Sequence, residues 1–297
     1  MGGIDATGGI DDGGTPGPAA PWQDFWERGG VGRAVLAAAV YLALYLGGSL
    51  VVGAWFAHAV DPDDLFATPA GVFVALALPL LVGAVVLVVF VASLRWFPVI
   101  FGPQPAGRGW MWVAPALVLA PVLLRALGVD YGAYAAGVVA TTLFAGLLVG
   151  FVEEVLCRGV VVGLLRRGGS SEWVVMIVSS VIFAFLHSSN ALSGMAPATV
   201  ALTVVFTFGF GVAMYLTLRV TGNLVWPILL HGLFDPMMFL ATGGIDETST
   251  VAPTSPLLAL AGPTNLLFIA LGLITLFLAR AVNVRPTGRD TPRPAAA

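Results

Sequence analysis

Long runs of apolar residues are the feature that most constrains how this chain can fold. Segments of roughly 20 apolar residues cross a bilayer core of ~30 Å as helices, because a helix satisfies its own backbone hydrogen bonds in lipid. With 58% hydrophobic and only 10% charged residues, the chain lacks the polar surface of a soluble domain. The sequence therefore predicts an all-α polytopic integral membrane protein with about eight transmembrane helices. The predicted spans are 34–57, 71–94, 109–128, 133–166, 172–190, 196–219, 223–241 and 256–282.

The arginines alternate between the two ends of these spans. All 13 basic residues are arginine, and cytoplasmic segments near span ends carry the excess of positive charge. The loops near 58–64, 188–197 and 243–250, which belong to the opposite side, contain no arginine. Only Arg125, near the outer end of the third span, breaks the pattern. We therefore expect a multi-pass protein of the cell (plasma) membrane with both termini in the cytoplasm.

The organisation expected along the chain follows from these spans and from composition. The tails are rich in Gly and Pro and have no packing pattern, although Trp22 and Trp26 could form a short interfacial anchor. The predicted divisions are a disordered tail at 1–33, N-terminal transmembrane helices at 34–128, core helices at 129–242, a loop and last transmembrane helix at 243–283, and a disordered tail at 284–297.

Charge and cysteine content exclude some classes of protein. A formal net charge of −3 and the lack of a basic run argue against a nucleic-acid partner. The single cysteine, Cys157, excludes an intrachain disulfide and a multi-thiolate metal cluster. We expect Cys157 to be a small buried side chain.

Six ionisable residues lie inside the apolar spans. Each costs about 2.5 to 3.5 kcal/mol at a helix centre on insertion scales, so such groups normally face an interior cavity and form a site. At a rise of ~1.5 Å per residue, their distances from the ends of their spans are similar enough to allow one shared polar layer. The six residues are Glu153, Glu154, Arg158, His187, His231 and Asp235.

Helical spacing distinguishes the two neighbouring glutamates. Glu154 and Arg158 are four residues apart with the acid first, the order that favours an ion pair on one helix face. Glu153 is rotated by ~100° from Glu154, so it can point into a cavity without fully sharing that arginine. A purely structural ion pair that lets the helix carry Glu153 is therefore our interpretation of Glu154 and Arg158.

The remaining groups can support hydrolysis of an amide by an activated water. His231 and Asp235 are four residues apart, so the carboxylate can orient the imidazole, and Phe183 would pack beside His187. A divalent metal such as zinc with His187, His231 and one carboxylate as ligands is one arrangement. Glu153 acting as the base, with the histidines stabilising the oxyanion, is the other. The sequence leaves both open.

Three short motifs on successive spans resemble one family. EEVLCR at 153–158, FAFLH at 183–187 and HGLFD at 231–235 are similar to the EExxxR, FxxxH and HxxxN/D motifs of the CPBP intramembrane proteases. These comprise the CAAX prenyl endopeptidases and the bacteriocin-processing or Abi proteins. The resemblance covers about residues 130–242.

The resemblance implies a glutamate- or metal-dependent intramembrane endopeptidase with a conical polar cavity between its core helices. It implies that Glu153 and His187 activate the water, that His231 and residue 235 support an oxyanion or a metal, and that Glu154 and Arg158 are a structural pair. CAAX enzymes carry Asn at the last motif position, whereas this chain has Asp235, and an ionised Asp cannot donate a hydrogen bond. That difference favours Asp235 as a ligand or as the orienter of His231, unless it is protonated.

Other functions remain open at this point. A non-catalytic immunity or scaffold protein would bind a peptide in the same cavity, and an ion-coupled transporter would use the same carboxylates as relays. A thiol protease that uses Cys157 is another enzymatic hypothesis, with less support than the glutamate- or metal-dependent one. We expect a peptide or protein substrate and contact with membrane lipid; the sequence fixes neither the substrate, its prenylation, nor the oligomeric state.

Overall fold

A computed structural model describes residues 21–61, 64–243 and 255–283, and every regular element in them is a helix. Two π-helical segments, Phe73–Ala77 and Val155–Val161, interrupt longer helical runs. The α-helices are α1 Pro21–Glu27, α2 Val31–Phe56, α3 Pro69–Val72, α4 Leu78–Ser93, α5 Phe97–Phe101, α6 Val113–Gly128, α7 Val138–Glu154, α8 Val162–Arg167, α9 Glu172–Leu186, α10 Pro197–Thr221, α11 Val225–Thr242, α12 Pro256–Ala261, α13 Thr264–Leu276 and α14 Ala279–Val282.

The expectation of an all-α polytopic membrane protein is confirmed. Seven helical segments among the described residues are long and apolar enough to cross a membrane. Large apolar side chains on their outer faces are exposed, as lipid contact requires. The seven segments are Val31–Ala59, Pro69–Ser93, Gly109–Gly128, Glu172–Ser193, Pro197–Thr221, Val225–Thr242 and Pro256–Leu276.

The fourth predicted span is the exception. It is the helical run formed by α7, the π-helical segment and α8, and it carries the two glutamates and Arg158. Residues 154–162 are all buried, so this part of the run lies inside the bundle rather than against lipid, whereas Phe144 and Leu147 on α7 are exposed. A π-helical turn is common where a helix carries functional groups, and here it begins directly after Glu154.

Two glycines bring α7 and α11 into backbone contact. A Cβ atom on Gly150 would lie 2.3 Å from the carbonyl oxygen of Ile228 and 2.6 Å from the backbone nitrogen of Gly232. One on Gly146 would lie 2.4 Å from Cγ of Pro236. Small residues four apart allow this kind of close helix crossing in membranes. The crossing sets the residues at the end of α7 beside His231 on α11.

Replacing Gly150 with leucine should therefore separate the two helices. We expect Gly150→Leu to reduce the free energy of unfolding by about 1 to 3 kcal/mol or more, because the new side chain meets backbone atoms that cannot rotate away. Thermal unfolding of the purified protein in detergent measures this effect. Gly47→Leu is the matched control, since a Cβ atom there meets nothing within 4 Å. Equal stability of the two variants would contradict the close crossing.

The predicted N-terminal disorder is wrong for residues 21–33. Pro21–Glu27 forms α1, and Trp26 is buried. Glu27 accepts a hydrogen bond from Nε1 of Trp96 at 2.6 Å and pairs with Nε of Arg167 at 2.8 Å. Burial raises the pKa of Glu27, but these two contacts outweigh it and hold the pKa below its ordinary value. The disorder expected at 1–20 and 284–297 lies outside the described residues.

Candidate active site

His231 is the centre of the polar layer. Its Nδ1 lies 2.8 Å from Oε1 of Glu154. Its Nε2 lies 3.4 Å from Oδ2 of Asp235 and 3.6 Å from Oε2 of Glu153. An ionised carboxylate only accepts hydrogen bonds, so Nδ1 donates to Glu154 and the ring orientation is fixed. Nε2 is thereby directed at the two other carboxylates.

Glu154 has two partners. Nη1 of Arg158 lies 3.0 Å from the same oxygen, Oε1, that accepts from His231, and the Glu154 and Arg158 side chains are fully buried. Nη2 of Arg158 donates to the carbonyl oxygen of Gly211 on α10 at 2.7 Å, and the guanidinium lies 4.5 Å from the ring centre of Phe183. The predicted ion pair is therefore present. Spacing did not indicate that Glu154 also orients His231.

Two phenyl rings, those of Phe183 and Phe210, pack against the imidazoles of the layer. Phe183 contacts His187 with ring centres 4.9 Å apart and His231 with ring centres 5.9 Å apart, and Phe210 contacts His231 at 4.9 Å. His187, at the end of α9, has its Nδ1 3.0 Å from the carbonyl oxygen of Phe183. A carbonyl only accepts, so Nδ1 is the donor, and Nε2 of the neutral ring is left as an acceptor. His187 and His231 thus share one aromatic wall.

Exposure differs between the members of the layer. The His231 side chain is only 3% exposed, whereas that of Asp235 is 19% exposed and that of Glu153 is 28% exposed. Oε2 of Glu153, the oxygen nearest His231, is buried and has no hydrogen-bond partner among the described residues. Glu153 is therefore the most exposed carboxylate of this layer, although the oxygen that faces His231 is covered.

One cavity is lined by residues of the layer, and a second lies beside the turn that follows His187. One, of about 200 Å³, lies between α9, α10, α11 and α13, and its walls include His187, His231 and Asp235 together with threonines and phenyl rings. A larger one, of about 680 Å³, is lined by residues of α2, of the segment Pro69–Ser93 and of the 3₁₀ turn that begins at His187. Tyr45 of α2 is one of its lining residues.

The zinc ligands expected from the sequence do not form a three-ligand site in this arrangement. No group of three His, Cys, Asp or Glu side chains within 21–61, 64–243 and 255–283 is placed to hold a metal ion. Nδ1 of His187 and Nδ1 of His231 are both engaged in hydrogen bonds. Ligation by His187, His231 and Asp235 stays a prediction.

Some residues of the site were missed from the sequence. Tyr45 on α2 lines the larger cavity together with the 3₁₀ turn that begins at His187, and Tyr41 lies four residues before it. Their hydroxyl groups inside a long apolar span were a signal that could have identified them. Phe210 and the carbonyl of Gly211 had no such signal, because α10 carries no ionisable residue near them.

The comparisons with known proteins identify the region that contains this layer. A family model described as Rce1-like, type II CAAX prenyl endopeptidase Rce1-like, matches residues 135–237. Comparison with curated proteins and with solved structures gave no match. The matched segment contains all three motifs and every residue of the polar layer. The resemblance to the CAAX prenyl endopeptidases is therefore confirmed for residues 135–237, and it supports a CAAX protease-type membrane enzyme.

Proposed function

We propose that this protein is an intramembrane endopeptidase in which Glu153 activates the water that hydrolyses a peptide bond. The single observation that carries the proposal is the pairing of a partly exposed carboxylate with a fixed imidazole. Glu153 lies 3.6 Å from Nε2 of His231, whose other nitrogen is held by buried Glu154. A base open to water beside an oriented polar group is what general base catalysis requires.

The reaction needs only the protein's own groups, the peptide and one water. Glu153 takes a proton from the water while the water oxygen bonds to the carbonyl carbon of the peptide. His187, with Nε2 free to accept, helps to position that water. Collapse of the tetrahedral intermediate breaks the C–N bond, and the proton held by Glu153 passes to the leaving nitrogen. The products are a carboxylic acid and an amine.

His231 is the group that can stabilise the developing oxyanion. When protonated, its Nε2 is a donor directed away from Glu154, and a preorganised donor in a buried site is more effective than one in water. Asp235 lies 3.4 Å from that nitrogen, one helical turn along α11. We therefore assign Asp235 to orienting His231, rather than to contacting the oxyanion itself.

We propose that the substrate is a peptide or protein, and that both termini are cytoplasmic in the plasma membrane. Contacts between the arginine-bearing ends support this orientation. Arg166 donates to Oε1 of Gln104 at 2.8 Å, and Arg219 donates to the carbonyl of Pro105 at 2.9 Å. The loop between α5 and α6 and the end of α10 thus lie on one face, as the alternation of arginines requires.

Proteoliposomes incubated with a peptide library, with products identified by mass spectrometry, test the proposal. Cleavage by the wild type that is lost in the Glu153→Gln variant supports an endopeptidase. Binding of peptides with no cleavage by the wild type would contradict it and favour a non-catalytic immunity or scaffold protein. Proton flux with no peptide binding would favour a transporter.

Metal removal distinguishes a metal-dependent mechanism from one in which Glu153 is the base and no metal takes part. Because no three-ligand group is formed among the described side chains, we expect cleavage to persist after dialysis against EDTA and purified protein to contain substoichiometric metal. Elemental analysis together with the cleavage assay measures both. Stoichiometric zinc, with activity that EDTA removes and zinc restores, would support ligation by His187, His231 and Asp235 instead.

A further inference from the structure

Three arginines line a cavity at the end of the bundle that the proposed orientation places in the cytoplasm. The cavity has a volume of about 390 Å³ and lies between α5 and the helical run formed by the π-helical segment Val155–Val161 and α8. Its arginines are Arg158, Arg166 and Arg167, and no carboxylate of the part of the chain that the structure describes lines it. It shares no lining residue with the two cavities described above. We call it the arginine cleft.

Two glycines shape the arginine cleft. The lining residues of the helical run recur at intervals of about four, so they lie along one face of the helix. A Cβ atom on Gly163 would lie 3.1 Å from Nη1 of Arg167, so glycine at this position leaves space for the guanidinium beside the helix backbone. A Cβ atom on Gly159 would lie 2.9 Å from Cγ2 of Ile100, so glycine there lets α5 pack closely.

Arg167 has donors that its protein contacts do not use. Its Nε pairs with Oε2 of Glu27 at 2.8 Å, and its guanidinium carbon lies 4.1 Å from the ring centre of Trp96. Nη1 and Nη2 of Arg167 form no hydrogen bond with the described residues, and neither is a buried atom. The side chain is 19% exposed, so a ligand in the arginine cleft can reach these two nitrogens.

The other two arginines of the cleft are not neutralised one for one. Glu172 accepts hydrogen bonds from Nε and Nη2 of Arg166, each at 2.9 Å, and it also pairs with Nη1 of Arg219 at 2.6 Å. Two guanidinium groups thus share one carboxylate. Arg158 pairs with Glu154, but its Nε is buried without a hydrogen-bond partner among the described residues. Excess positive charge and an unused buried donor together indicate a site for an anion.

We propose that the arginine cleft binds an anionic phosphate group. A phosphate presents several acceptor oxygens, so more than one guanidinium can donate to it at once through parallel hydrogen bonds. Basic pockets at the cytoplasmic side of transmembrane helices bind lipid headgroups in this way. The phosphate belongs either to the headgroup of an anionic phospholipid or to a soluble phosphate compound. This site goes beyond the proposed function, because it does not depend on peptide cleavage.

Two measurements on the full-length protein distinguish the sources of the phosphate. In the first, protein is reconstituted into nanodiscs of equal parts phosphatidylcholine and phosphatidylglycerol, and native mass spectrometry identifies the lipid that stays bound. In the second, thermal unfolding in detergent is followed while inorganic phosphate or glycerol phosphate replaces chloride at constant ionic strength. We expect about fivefold or greater enrichment of the anionic lipid, or a saturable rise in Tm with soluble phosphate. Equal retention of both lipids together with no saturable rise would overturn the inference.

Variants then assign the binding to the arginine cleft. Arg167→Gln should weaken it by about fivefold, the effect of one arginine near an anionic lipid. Arg167→Lys should retain part of it, because lysine keeps the charge without the planar fork. Gly163→Leu should weaken it as well, since the leucine side chain occupies the cleft and no charge changes. Arg28→Gln is the control, because Arg28 is exposed and does not line the cleft.

The outcomes for these variants are decisive. Equal weakening by Arg167→Gln and Arg28→Gln would indicate a general attraction to surface charge and would overturn the inference. Binding that Gly163→Leu leaves unchanged would locate the anion outside the cleft, with the same consequence. Thermal unfolding without ligand checks each fold, and if Arg167→Gln is unfolded, Gly163→Leu alone decides. Peptide cleavage without phosphate binding overturns this inference alone, and phosphate binding without cleavage overturns only the proposed function.

Discussion

The Glu153→Gln variant is expected to cleave peptides about 10³-fold more slowly than the wild type, within the range usual for a lost general base. Glutamine has nearly the same shape, but its amide cannot take a proton from water. The side chain is 28% exposed and makes no ion pair shorter than the 3.6 Å contact with His231, so the helix should remain folded. Initial rates in proteoliposomes measure the effect.

The control for Glu153→Gln is the same kind of change at an exposed position. Asp24→Asn on α1 also replaces a carboxylate by an amide, and Asp24 is exposed and distant from the polar layer. It should leave the rate unchanged. Thermal unfolding should be similar for both variants and the wild type. A Glu153→Gln protein that is folded and still cleaves at the wild-type rate would rule out Glu153 as the base.

The Glu154→Leu variant is expected to lose about 3 to 5 kcal/mol of stability, because it leaves Arg158 buried without its anion. Both side chains of this pair are fully buried. The double variant Glu154→Leu with Arg158→Leu should recover most of that loss, since two apolar side chains replace the pair. The double variant should still be inactive, because Nδ1 of His231 no longer has the acceptor that fixes the ring.

Denaturant unfolding and the cleavage assay together separate the two roles of Glu154. The matched control is Glu27→Gln, which removes the charge that pairs with Arg167 where the Glu27 side chain is 48% exposed, while the amide oxygen can still accept from Trp96. Exposed pairs contribute about 0 to 1 kcal/mol, so this variant should be clearly less affected. A double variant that is both stable and active would show that Glu154 does not orient His231.

Contacts within one helix could be predicted, and contacts between helices could not. The pair of Glu154 and Arg158 follows from the helical period, and it survives although Arg158 lies in a π-helical segment. The contact between Glu154 and His231 joins residues 77 positions apart. Its formation depends on how α7 and α11 are rotated about their axes. Hydropathy defines where a span lies, but not which face meets which neighbour.

The differences from the predictions have the same origin. The Gly-rich tail was expected to continue to residue 33. Instead, the Glu27 carboxylate accepts a hydrogen bond from Trp96 and forms an ion pair with Arg167, and both partners are distant in sequence. Arg125 appeared to be only an exception to the arginine pattern, yet it is buried beside Phe234 and Asn265. In both cases the partner residue lies on another helix or loop. Hydropathy and charge patterns along the sequence do not reveal such contacts.

The sequence by itself determined that this is a helical membrane protein and which ionisable residues its spans must accommodate. Apolar length and the free energy of placing charge in lipid decide both, and neither depends on the arrangement of helices. Only the tertiary structure decided that His231 is held by Glu154, that Glu153 stays partly exposed, and that Arg125 is buried beside Phe234. The contact between Glu154 and His231 follows from backbone contact at Gly146 and Gly150, because close packing between helices fixes their rotation and therefore the direction of each side chain.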